Sequence, residues 1–316
     1  MTMIKSQDVT KAPGQTAIFI TMNLKTPIKK VKEVIMDFCG RIPSIINSIR
    51  NRAPEKGFDF VMGFGENAWK KLFKNAPLPS ELTTFKEIKG VTRTAVSTPC
   101  DLFFHLRSQT MDICFEVSTM IHSLLKEVTT PVDEVHGFRY LDNRAIIGFV
   151  DGTENPSAED ASEYALIQDE DHFFNGSSYA FIQKYLHDMD AWNSLSTEEQ
   201  EKTIGRMKYN DLELNDDDKH VNAHNLVTKV DKNGEEQKII RANVSFANAS
   251  KGEFGTFFIG YSKSFITIET MLKQMYLGKD GGKPDRLLDF SIPKTGTLFF
   301  IPSFKILDRI ANDDWE

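Results

Sequence analysis

Two apolar rhythms alternate along this chain. Residues 16–24 form a nearly continuous apolar run, as a strand buried on both faces does. After Pro27, which suits the first turn of a helix, Val31, Val34, Ile35, Phe38 and Cys39 recur at helical spacing. A second helical stretch carries Ile45, Ile46 and Ile49, and residues 58–65 alternate as a strand before a short helix at 68–73. Residues 101–106 predict another strand. Ile113, Phe115, Val117, Met120, Ile121, Leu124 and Leu125 then mark one face of a long helix. Residues 132–150 predict one or two further strands, ending in the apolar run 145–150. The order strand, helix, strand, strand, helix, strand is that of a ferredoxin-like unit.

The second half repeats the scheme. Residues 178–186 read as a strand. Ser196-Thr197-Glu198-Glu199 is a capping box that opens a helix running to about 206. A polar segment, 208–238, separates it from strands at 238–246 and 255–261. A helix at 265–277 (Ile268, Met271, Leu272, Met275) and a last strand at 296–302 follow. The expected architecture is α+β: duplicated ferredoxin-like halves, with antiparallel sheets packed face to face and helices outside. The expected boundaries are a mobile polar arm at 1–15, a first half at 16–150 and a second half at 151–316.

Composition narrows the function. A net charge of −7 argues against a nucleic-acid or anionic-membrane surface. Twenty-four phenylalanines favour a large apolar core or a bulky apolar ligand pocket. Cys39, Cys100 and Cys114 are scattered, with no C-x-x-C pair, which indicates neither a disulfide framework nor a thiolate zinc site and fits a reducing compartment. The first residues contain no apolar signal core, and no stretch approaches the roughly 20 apolar residues of a membrane span, so the expected location is cytoplasmic.

The junction of the halves carries the first candidate chemistry. In Gly148-Phe149-Val150-Asp151-Gly152-Thr153-Glu154-Asn155-Pro156, an acidic side chain stands between an apolar run and a tight turn. Asp151 there is either a working carboxylate at the rim of the core or the cap of its own Asx-turn. Downstream, His220-Val221-Asn222-Ala223-His224 places two histidines four apart, either a solvated pair or half a metal site. Arg241 follows Ile239-Ile240, and Asn243 shares its side of the strand.

The run Gly148–Pro156, with its Gly-x-x-Asp-Gly core, resembles the signature of the dye-decolourising peroxidases, a haem peroxidase family. His224 lies 73 residues after Asp151 (224 − 151), and Arg241 lies 17 after His224 (241 − 224), spacings similar to the family's. The resemblance spans nearly the whole chain. It implies one haem b per chain with His224 as proximal iron ligand, and Asp289 as the acceptor on the other imidazole nitrogen. It also implies Asp151 and Arg241 as the distal pair, with Asn243 in the distal pocket. The implied activity is reduction of hydrogen peroxide and oxidation of organic donors (dyes, phenols) through a ferryl intermediate, in a homo-oligomer of two or more chains. By residue chemistry, Phe257 or Phe258 would wall the distal face. Met271, Met275 and Leu288 pack on the macrocycle or are plain core. Arg144 or Arg206 would meet the propionates, and Trp69, Trp192, Trp315 or Tyr261 would carry oxidising equivalents outward. The alternatives are a haem-handling protein with incidental peroxidase activity, and a non-haem protein in which His224 is only a loop residue.

Overall fold

Side chains alternate across each strand, and the alternation decides the layering. In the computed structural model, which describes residues 6–168 and 171–315, the first half contributes strands β1 (Thr16–Leu24), β2 (Phe58–Phe64), β3 (Leu102–Ser108) and β4 (Thr129–Phe138). The second half contributes β5 (Ser178–His187), β6 (Ile240–Asn248), β7 (Glu253–Ser262) and β8 (Thr297–Ile301). The first four run in the order β4-β1-β3-β2 and the second four in the order β8-β5-β7-β6, with antiparallel neighbours. One bridge joins the halves on each side, Phe138 with Ser245 and Phe64 with Phe300, so the two sheets form a single ring.

Inward residues fill the ring. Phe19 stacks on Phe257 at 4.0 Å between ring centroids, and Phe103 on Phe299 at 5.1 Å; each pair unites the two halves. Outward residues such as Ile18, Phe60, Phe104, Phe181 and Phe300 meet the helices. These are α1 (Ile28–Arg52), α2 (Met111–Leu125), α3 (Thr197–Ile204), α4 (His224–Val227), α5 (Phe265–Leu277) and α6 (Phe304–Asn312).

Three expectations are corrected. The two helical stretches after Pro27 are one helix, α1, with Pro43 inside it; the buried face of Ile35, Phe38, Ile42 and Ile46 outweighs the lost backbone bond. Residues 145–150 are not a strand. Gly148 takes φ +94°, which breaks the extended path, and the run folds back so that Ala145 N–H donates to the Phe149 carbonyl at 2.8 Å. The run is apolar because Ile146, Ile147 and Phe149 pack with Trp192, Ile204 and Phe290. The polar arm is docked where it is described. Residues 1–5 lie outside the described residues, but Gln7, Asp8 and Val9 are buried, and the Gln7 amide exchanges hydrogen bonds with the Met62 backbone at 2.7 and 2.9 Å. No helix among the described residues is long and apolar enough to cross a membrane.

Candidate active site

A cleft of about 1490 Å³, counted out to its open mouth, lies between strands β5–β7 and helices α4 and α5. Its walls are mostly apolar. Ile268, Met271, Leu272 and Met275 come from α5, and Phe258, Ile239, Ile147 and Leu288 from the surrounding segments. Into this cleft the fold brings Asp151, Arg241, Asn243 and His224.

Asp151 is set by β6 rather than by its own turn. Its Oδ2 accepts from the Asn243 backbone N–H at 3.0 Å, and its Oδ1 accepts from Asn243 Nδ2 at 2.8 Å. Asn155 works in the same way on the other side. Its Nδ2 donates to the Arg241 carbonyl at 2.8 Å, and its Oδ1 accepts from the Arg241 N–H at 2.9 Å. Four hydrogen bonds therefore fasten the loop after Gly148 to consecutive alternate residues of β6. Arg241 and Asn243, two apart, emerge on one side of that strand.

His224 opens α4. Its Nδ1 lies 2.6 Å from Asp285 Oδ2, and the Asp285 side chain is fully buried. The other oxygen of Asp285 accepts from the Leu287 N–H at 2.9 Å. With Nδ1 occupied, Nε2 is the imidazole nitrogen left for a ligand in the cleft. The expectation that Asp289 supports His224 is corrected. Asp285 caps the short 3₁₀ helix Arg286–Asp289 and points inward, which carries Asp289 to the surface, where it pairs with Arg286 at 2.7 Å. Asp285 was readable as a helix cap following Pro284. His220 faces away, 3.1 Å from Glu199. Among the described residues no group of three or more His, Cys, Asp or Glu side chains is placed to hold a metal ion.

Phe257 and Phe258 separate. Phe258 lines the cleft, whereas Phe257 points into the ring and stacks on Phe19. Arg206 lines the cleft, because α3 ends at Gly205 in a left-handed conformation (φ +91°) that redirects the chain; it is paired with Glu154 at 2.7 Å. Arg144 instead donates to the carbonyls of Gly148, Lys208 and Tyr209, tying two loops together. Met271, Met275 and Leu288 all line the cleft. Of the aromatic residues suggested as outward carriers, Trp69, Trp192 and Tyr261 are buried.

Sequence reasoning missed His187, on the cleft wall. Its ring nitrogens meet Ser291 Oγ at 2.9 Å and Thr256 Oγ1 at 2.7 Å, and burial pushes its pKa down to about 4. Tyr185 beside it is held by burial well above the usual phenol range. Nothing in the pattern of β5 distinguished these two from ordinary strand residues.

Comparison with known proteins fits this arrangement. The family model for the N-terminal part of Dyp-type peroxidases matches residues 6–139, and that for the C-terminal part matches residues 142–306. The chain belongs to the Dyp-type peroxidase family and is an oxidoreductase of the peroxidase class. A dye-decolorizing peroxidase of Mycobacterium tuberculosis is 47% identical over 278 residues, 87% of this chain and 82% of that protein. The crystal structure of a dye-decolorizing peroxidase from Bacteroides thetaiotaomicron superposes with a TM-score of 0.94 at 50% identity, over 98% of this chain and 99% of that one. A DypB variant from Rhodococcus jostii RHA1, solved in complex with heme, superposes with a TM-score of 0.91 at 41% identity, over 94% and 96% of the two chains. The two solved structures share the chain's mixed fold of helices and antiparallel strands.

Proposed function

We propose that the cleft holds one haem b and that the chain reduces hydrogen peroxide with electrons from organic donors such as dyes and phenols. The observation that carries this reading is His224. One imidazole nitrogen is held by a buried carboxylate, and the ring lines the same apolar cleft as Asp151 and Arg241. The residues fit the group: apolar walls for a macrocycle, an imidazole for its iron, and Arg206 on the cleft for a propionate.

When bound, haem supplies the iron that accepts peroxide and holds oxidising equivalents for release to a donor. His224 would hold the iron through Nε2, while Asp285 fixes the tautomer and raises the ligand's basicity. Asp151 acts as acid and base, taking the proton from one peroxide oxygen and delivering it to the leaving oxygen. Asn243 orients both carboxylate oxygens for that exchange. Arg241 stabilises the negative charge that develops as the O–O bond breaks. Mere carriage of haem needs no such acid–base pair.

Stopped-flow mixing of the haem-loaded protein with peroxide tests these roles. Asp151→Asn should slow the first spectral change by roughly 100- to 10,000-fold, and Arg241→Leu by roughly 100- to 1000-fold, both with haem retained. A wild-type rate in Asp151→Asn removes the acid–base role; a wild-type rate in Arg241→Leu removes the charge-stabilising one.

We also read the halves as a diverged duplication of a ferredoxin-like unit, supported by their matching strand orders. A cytoplasmic location is supported by three free, buried cysteines. Assembly into a homo-oligomer rests on the family alone.

A further inference from the structure

Inside the ring, away from the peroxide cleft, His105 Nδ1 lies 2.8 Å from Tyr261 Oη. Both residues are buried, at 1% and 2% exposure, so Tyr261 is no surface carrier, and neither residue binds haem or peroxide in the reading above. They line a second cavity, which shares Asp151, Arg241 and Asn243 with the main cleft. Asp151, Arg241 and Asn243 thus stand between the tyrosine–histidine pair and the place where peroxide is reduced, lining both cavities. We propose that Tyr261 and His105 form a redox-active pair that stores one oxidising equivalent as a tyrosyl radical; this rests on the peroxidase reading of the cleft.

The electron and proton balance is complete within residues already named. Tyr261 gives one electron to the peroxide-oxidised haem, which is reduced by one. Its phenolic proton passes along the 2.8 Å hydrogen bond to His105 Nδ1, leaving a neutral tyrosyl radical and an imidazolium. Two features suit the pair to this exchange. His105 is held neutral by burial first and by the Arg107 charge second, so Nδ1 has a lone pair to offer. A phenol that has lost an electron is a strong acid and protonates even a disfavoured imidazole. The ring of Phe19, stacked on His105 at 4.4 Å, then lies against the new cation. His105 Nε2 is buried without a hydrogen-bond partner among the described residues, so Tyr261 is the group that fixes this imidazole.

The cluster of Tyr185, Gln183 and Tyr276 lacks a base. Tyr185 Oη donates to the Gln183 side-chain carbonyl at 2.5 Å and meets Tyr276 Oη at 3.1 Å, and neither partner takes up a proton readily. This contrast assigns the radical to Tyr261. Enclosure in the ring would keep it from bulky donors and lengthen its life.

The test is freeze-quench electron paramagnetic resonance of the haem-loaded protein after one equivalent of peroxide, without donor. Optical spectra of the same samples report whether haem is bound and reacts. Wild type should show a tyrosyl signal, Tyr261→Phe should lose it, and His105→Gln, which keeps a hydrogen bond but removes the base, should lose most of it. A protein that binds haem and reacts with peroxide yet gives the same tyrosyl signal in Tyr261→Phe, or none in wild type, overturns the proposal and leaves the peroxidase reading standing. If haem does not bind or react, the peroxidase reading fails instead. The pair is then tested without haem, by ultraviolet photolysis of the frozen protein. A tyrosyl component that survives stepwise warming in wild type and is absent from Tyr261→Phe supports the pair, and identical decay in both contradicts it.

Discussion

Asp285 and Asp289 stand four residues apart and do opposite work. Asp285 is buried against His224, whereas Asp289 shares a surface pair with Arg286. Asp285→Asn should lower haem affinity or turnover by roughly 10- to 100-fold, as loss of a ligand's supporting carboxylate does. Asp289→Asn should change stability by less than about 1 kcal/mol and leave turnover unaltered. Equal effects in a side-by-side titration of the two variants would contradict the assignment. His187 gives a pH prediction. Its folded pKa, about 4, lies below the ordinary imidazole value of roughly 6.5. Between these limits the unfolded chain binds a proton that the folded chain does not. Stability is therefore full above pH ~6.5 and falls toward pH ~4, by at most about 3 kcal/mol from this group. His187→Gln should flatten the melting temperature across that window, and an unchanged slope would remove the effect. At this scale the sequence spoke clearly where chemistry sits in a motif. Resemblance to the family signature and its spacings singled out Asp151, His224, Arg241 and Asn243, and the fold brings all four to one cleft. Asp289 misled because several acids follow His224, and only the direction of a short helix selects among them.

Among the elements, β7 shows how one residue of shift reassigns a side chain. Phe257 faces the ring and Phe258 the cleft. Phe257→Ala should cost about 3–5 kcal/mol in urea unfolding through the cavity it leaves, with haem affinity retained. Phe258→Ala, half-buried on the cleft wall, should weaken haem binding at a smaller cost in stability. The reverse pattern would place the strand in the other register. Period-two alternation told that these neighbours point apart, but not which one meets the cleft. The run 145–150 failed as a strand for a related reason. Apolar content reports burial, and burial of Ile146, Ile147 and Phe149 is achieved here around a positive-φ glycine instead of in a ladder.

For the whole molecule, the two halves share one interior. Phe19 and Phe103 from the first are covered by Phe257 and Phe299 from the second. Residues 6–139 expressed alone should therefore expose an apolar sheet face, bind a hydrophobic dye and lack a cooperative unfolding transition. A sharp transition without dye binding would show that the first half is independent. The succession of strands and helices in each half could largely be anticipated from the apolar pattern. Closure of the ring could not, because each junction is a single bridge between distant residues, with no local signal.

His224 is the residue proposed to hold haem iron in the cleft. The visible absorption spectrum of the haem-supplemented protein, recorded beside that of His224→Ala, tests it most directly. The predicted result is a Soret band with ferric features in wild type that is lost or clearly shifted in the variant. Identical bands in both proteins would put the iron on another residue and contradict the account.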